Sequence, residues 1–120
     1  MAKASPDTTI DAMLDEIATA TRMVACSAEP ANFAGIAAVA LADVVMAGGD
    51  FTNADGDTSG RKVTVAQKTG VTIDTTGTAN HVSLDDGTDL IYVTTATSQA
   101  LTAAGTVTFN SWKVEVADPT

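Results

Sequence analysis

The sequence predicts a mainly β fold with an N-terminal α-helix, its strands arranged as an antiparallel β-sandwich or a small barrel. Two observations carry this. Apolar residues recur at helical spacing between about residues 6 and 22. Beyond Arg61, short alternating runs are cut by turn signals about every 8–12 residues. The 120-residue length adds a third constraint, a single domain over residues 1–120. Its helix would occupy about 6–22 and its β body about 23–118.

Ser5-Pro6-Asp7 opens the helix, with Ser5 or Asp7 as N-cap and Pro6 accommodated in the first turn. Ile10, Met13, Leu14, Ile17 and Ala18 then form one apolar stripe, and Asp7, Asp11, Asp15 and Glu16 lie mainly on the other face. Arg22 falls near the C-terminal end, where the helix dipole favours a cation. Met23 to Ser27 follows as a short strand stopped by Glu29-Pro30. Residues 31–47 admit two readings. The alanine content of Ile36 to Met46 suits a helix, whereas Val39, Leu41, Val44 and Val45 suit a buried strand. Gly48-Gly49-Asp50 ends either one, and Asn53 to Gly60 reads as a polar loop.

From Arg61 onward the pattern is β. Val63 and Val65 alternate with polar neighbours, Val71 and Ile73 follow Thr69-Gly70, and Val82 and Leu84 alternate with His81, Ser83 and Asp85. Leu90 to Thr95, Thr106 to Phe109 and Trp112 to Val116 supply further runs, separated by Asp86-Gly87 and Ala104-Gly105. In the last run Trp112, Val114 and Val116 should point inward, with Lys113 and Glu115 toward water.

Fifteen Asp and Glu against six Lys and Arg give a net charge of −9. This balance opposes nucleic-acid binding, which needs cations to displace phosphate counterions, and opposes docking on anionic membranes. No apolar leader is visible at the N-terminus, and Asp43 interrupts the most apolar stretch, so the chain is expected to remain soluble where it is made.

The candidate chemistry is thin. Asp55, Asp57 and Ser59 fall at alternate positions of a calcium-loop pattern with Gly60 at the glycine position, which makes them the metal candidates. The closing Glu is replaced by Ala66, and Arg61-Lys62 put positive charge where ligands should lie. His81 is the one histidine and sits at an outward strand position. Cys26 is the one cysteine, in an apolar run, where it reads as a small buried hydrophobe. Nucleophile-elbow, P-loop and dinucleotide-binding motifs are absent from the sequence. Asp85, Asp86 and Asp89 flank a hairpin, where Asp serves turn geometry. The expectation is a protein that is not an enzyme and uses no cofactor.

Several segments, taken in order, resemble a known family. They are Asp43 to Thr52, Ala54-Asp55-Gly56-Asp57-Thr58-Ser59-Gly60-Arg61-Lys62-Val63-Thr64-Val65, Leu90 to Thr95, Gln99 to Thr102, and Trp112 through Pro119. With the N-terminal helix they resemble small virion structural proteins of tailed phages and prophages. The resemblance implies a virion part, and among such parts a capsid decoration (cement) protein on the outer surface of the head. Its partners would be the major capsid protein and neighbouring copies of itself, as a monomer or a homotrimer. A tail- or fibre-associated protein is the alternative within the virion, and a calcium- or carbohydrate-binding β-module the alternative outside it. Acidity fits an outward position, because many acidic copies would repel packaged DNA. For contact with a partner the sequence nominates the N-terminal segment with Met1, Lys3 and Pro6. It also nominates the loop from Asn53 to Arg61-Lys62, whose paired bases stand out on an acidic chain.

Overall fold

A computed structural model describes the backbone of residues 7–116 and the side chains from residue 10 onward. It opens with α1 (Asp7–Ile17). In chain order there follow β1 (Arg22–Cys26), α2 (Phe33–Val39), β2 (Ala40–Val45), a single 3-10 turn (Gly48–Asp50), β3 (Phe51–Asp55), β4 (Arg61–Val65), β5 (Lys68–Thr72), β6 (Gly77–Asp85), β7 (Leu90–Leu101), β8 (Thr106–Phe109) and β9 (Trp112–Val116). The fold is therefore mainly β, with antiparallel sheets and the expected N-terminal helix.

The helix stops at Ile17 rather than near residue 22. Thr19 N–H donates to the Glu16 carbonyl and Ala20 N–H to that of Ile17, which tightens the last turn. Strand pairing then captures the chain, as Thr21 N–H donates to the Asp85 carbonyl and Met46 N–H to that of Thr21. Arg22 consequently begins β1 and serves no helix dipole. Asp7, one of the two proposed caps, is already the first helical residue, and Ser5 and Pro6 lie outside the described residues.

Both readings of residues 31–47 hold in part. The Asn32 side chain accepts from Gly35 N–H at 2.9 Å and caps α2. At Ala40 the backbone turns extended and β2 begins. The segment Asn53 to Asp55 is strand rather than loop, so only residues 56–60 form the turn between β3 and β4. Gly56 is required there: an added Cβ would collide with the Ser59 carbonyl.

Among the described residues three sheets result, ordered β2-β1-β6-β7, β3-β4-β9 and β5-β8, and none closes on itself. β1 is central in the first sheet and buried on both faces. Met23 and Ala25 join the main core, where Ile10, Leu14 and Ile17 of α1 meet Val63, Val65 and Leu84. Val24 and Cys26 point to the opposite face, into a smaller cluster under α2 with Ile36. Each fully buried aliphatic side chain of this kind contributes about 1.5–3 kcal/mol.

Candidate functional site: a groove beside β7

Around this core two strand edges are left beside one another. β7 ends the first sheet, with β6 its one strand neighbour among the described residues, and β9 ends the second. Tyr92 of β7 and Trp112 of β9 bridge them as a stacked pair, ring centroids 6.0 Å apart. Next to this pair a groove of about 520 Å³ opens between the second half of β7, β8 and the start of β9. Val82, Leu101, Val107 and Phe109 supply its apolar lining, and Thr94, Thr97, Gln99, Asn110 and Ser111 supply hydroxyl and amide groups.

The backbone of β7 is irregular here. Thr95 pairs with His81 and Gln99 with Ala79, so Ala96, Thr97 and Ser98 bulge out opposite Asn80 alone. A bulge of this kind breaks the ladder and re-aims side chains. All three bulged residues are exposed.

The charge distribution is as distinctive as the shape. From Leu90 through Trp112 the chain contains no Asp, Glu, Lys, Arg or His. Among the described residues the one charged residue lining the groove is Lys113, whose Nζ is already paired with the Asp57 carboxylate. On a chain of net charge −9 this is an uncharged stripe. Trp112 lines the groove, and its indole N–H is sealed from solvent and makes no hydrogen bond among the described residues. Such an orphaned donor costs about 1–3 kcal/mol.

The residues nominated from the sequence are placed elsewhere. Arg61 donates to Asp11 at 2.9 Å and to Asp55 at 2.7 Å, and Lys62 to Asp57 at 2.7 Å. The Asp11 and Asp55 carboxylates push the Arg61 guanidinium still higher in pKa. Asn53 donates its side-chain amide to Asp15 at 2.9 Å. The two bases thus fasten the β3–β4 hairpin to itself and to α1. Asp55 and Asp57, the calcium candidates, hold cations from Arg61, Lys62 and Lys113, and Asp57 N–H donates to the Glu115 carboxylate. Ser59 lies in the same turn. Among the described residues no three His, Cys, Asp or Glu side chains converge as a metal set. Met1, Lys3 and Pro6 lie outside the described residues.

His81 is half-buried, with Nδ1 at 2.6 Å from the Asn80 side chain. Cys26 is buried, and burial pushes its thiol above the ordinary value despite a contact with the Ser83 hydroxyl. Asp86 shapes the β6–β7 turn, accepting from Thr88 and Asp89 N–H groups, which hold its carboxyl below the ordinary value. Two further features escaped the sequence reading. Asp85 is buried against Arg22 at 2.9 Å, and Asp43 shares a hydrogen bond with Asp74. The groove also escaped it, although the long uncharged run was there to be seen.

No protein-family model matches the chain, and no curated protein or solved structure matches it either.

Proposed function

We propose that this chain is a structural subunit of a tailed-phage virion, a capsid decoration protein that binds the outside of the head and stabilises it without performing catalysis. The phage assignment rests on the sequence resemblance. The observation that carries the binding role is the uncharged strand edge of β7 from Leu90 to Thr95, ahead of the bulge, set in an otherwise acidic body. Strand edges left free and uncharged are unusual in proteins that act alone, because they recruit other chains. The partners are the major capsid protein and neighbouring copies of the chain, and the sheets pack as an open sandwich whose acidic remainder faces away from packaged DNA.

The test is structural localisation. Purified particles imaged by electron microscopy should show density for the chain on the head, in a copy number proportional to the capsid lattice. Stripped heads should lose thermal stability and regain it on adding the protein back. Labelling confined to the tail would overturn the head assignment.

A further inference from the structure

We propose that the groove beside β7 is a binding site for a short, neutral oligosaccharide. This goes beyond a role in a particle and holds whether the chain sits on a head, on a tail or on neither. Charge decides the first step. A cationic ligand would seek carboxylates, and among the described residues none lines the groove. An anionic ligand would seek a free base, and the one base among the described lining residues, Lys113, is held by Asp57. What remains is an uncharged ligand.

The hydrogen-bonding inventory decides the second step. Thr97 offers a hydroxyl that donates or accepts and Gln99 an amide that does both. Ser111, whose hydroxyl donates to the Val65 carbonyl, can still accept, and Asn110, whose Oδ1 accepts from Gln67, can still donate. Such groups match a ligand with many hydroxyls in close succession. The Trp112 N–H is a donor only and stays buried, so the indole ring at the groove wall acts as a contact and a reporter rather than as a hydrogen-bonding group. Phe109 and Val107 beneath supply the apolar contact that the C–H face of a sugar ring requires.

The third step separates a sugar from an extended peptide. Peptide recognition at a strand edge runs through a continuous ladder of backbone hydrogen bonds. The bulge at Ala96–Ser98 interrupts that ladder along the groove, so recognition falls to side chains. A groove of about 520 Å³ also has room for two or three sugar rings rather than for one small solute.

The chain has a single tryptophan, so the site carries its own reporter. Neutral di- and trisaccharides of glucose, galactose and N-acetylglucosamine should be titrated into the isotopically labelled protein while the one indole N–H resonance is followed. At least one should move that resonance saturably at millimolar concentration. Gln99→Ala and Asn110→Ala, both at exposed positions, should then weaken binding about tenfold each with spectra otherwise preserved. Trp112→Phe, followed through backbone resonances, should weaken it by a similar factor. No response of the indole to any of these sugars overturns the proposal. So does a response that Gln99→Ala and Asn110→Ala leave unchanged. A response only to an uncharged peptide rich in Thr and Ala also overturns it and assigns the groove to a strand.

Discussion

Replacing Arg22 by alanine removes the only cation that touches the Asp85 carboxylate among the described residues. The two atoms lie 2.9 Å apart, and the Asp85 side chain is 1% exposed. Its second oxygen accepts from Gly87 N–H at 3.0 Å, which cannot by itself replace a lost charge. Stranding a buried carboxylate in this way costs about 3–5 kcal/mol. The Arg22 side chain is 35% exposed, so water already screens part of the pair and lowers the expected loss to about 2–3 kcal/mol. Against a total stability of about 5–15 kcal/mol this is a large fraction, equivalent to roughly 8–15 °C in Tm for a chain of this size. Urea denaturation followed by circular dichroism measures it directly. The double variant Arg22→Met/Asp85→Asn removes both charges and keeps the acceptor for Gly87, so it should recover much of the loss. A single-variant loss below about 1 kcal/mol, or a double variant no better than the single, would refute the reasoning.

Three further outcomes are expected. Asp43 carries a carboxyl raised above the ordinary value by partial burial and by the facing Asp74 carboxyl, with Arg22 opposing weakly. A carboxyl raised on folding favours the protonated form, so its contribution is present at low pH and is lost as pH rises through the folded pKa. Asp43→Asn should therefore stabilise the protein at neutral pH by less than about 1 kcal/mol, with the gain vanishing on acidification in a series of thermal melts. Leu14→Ala should cost about 2–5 kcal/mol in chemical denaturation, because Leu14 is 1% exposed in the main core. A loss typical of surface sites would mean that α1 is not docked on β4. Cys26 should resist a thiol reagent in the folded protein and react at the unfolding rate, whereas rapid labelling without denaturant would contradict its burial.

The fold was legible where periodicity is local. Ile10, Leu14 and Ile17 give the buried face of α1 by spacing alone, although Met13, on the same stripe, is 52% exposed. In β9, Trp112, Val114 and Val116 are more buried than Lys113 and Glu115, as alternation requires. Arg22 was misplaced because helix-dipole logic and a buried partner 63 residues away both attract a cation, and only the first is local. Distance also hid Asp11, 50 residues before Arg61, whereas Asp55 and Asp57 lie close in sequence and pair with Arg61 and Lys62 only because residues taken for a loop form the β3–β4 hairpin. Residues 31–47 carried two true signals in one window, a capping Asn32 and a β-branched run, and the boundary at Ala40 follows from neither alone. The groove depends on three strands and a bulge, which no single window contains.

The position of β1 has a consequence for how the protein is made. This strand is completed early and pairs on one side with β2, which follows within a few tens of residues, but on the other with β6. Arg22 must wait for Asp85, 63 residues further on. At about 5–20 residues per second that interval is roughly 3–13 s, during which the strand destined for the deepest burial has one neighbour instead of two. The emerging chain therefore passes through a stage with an open apolar seam, and a ribosome-bound chaperone or a fast local β1–β2 hairpin must guard it until the second half arrives.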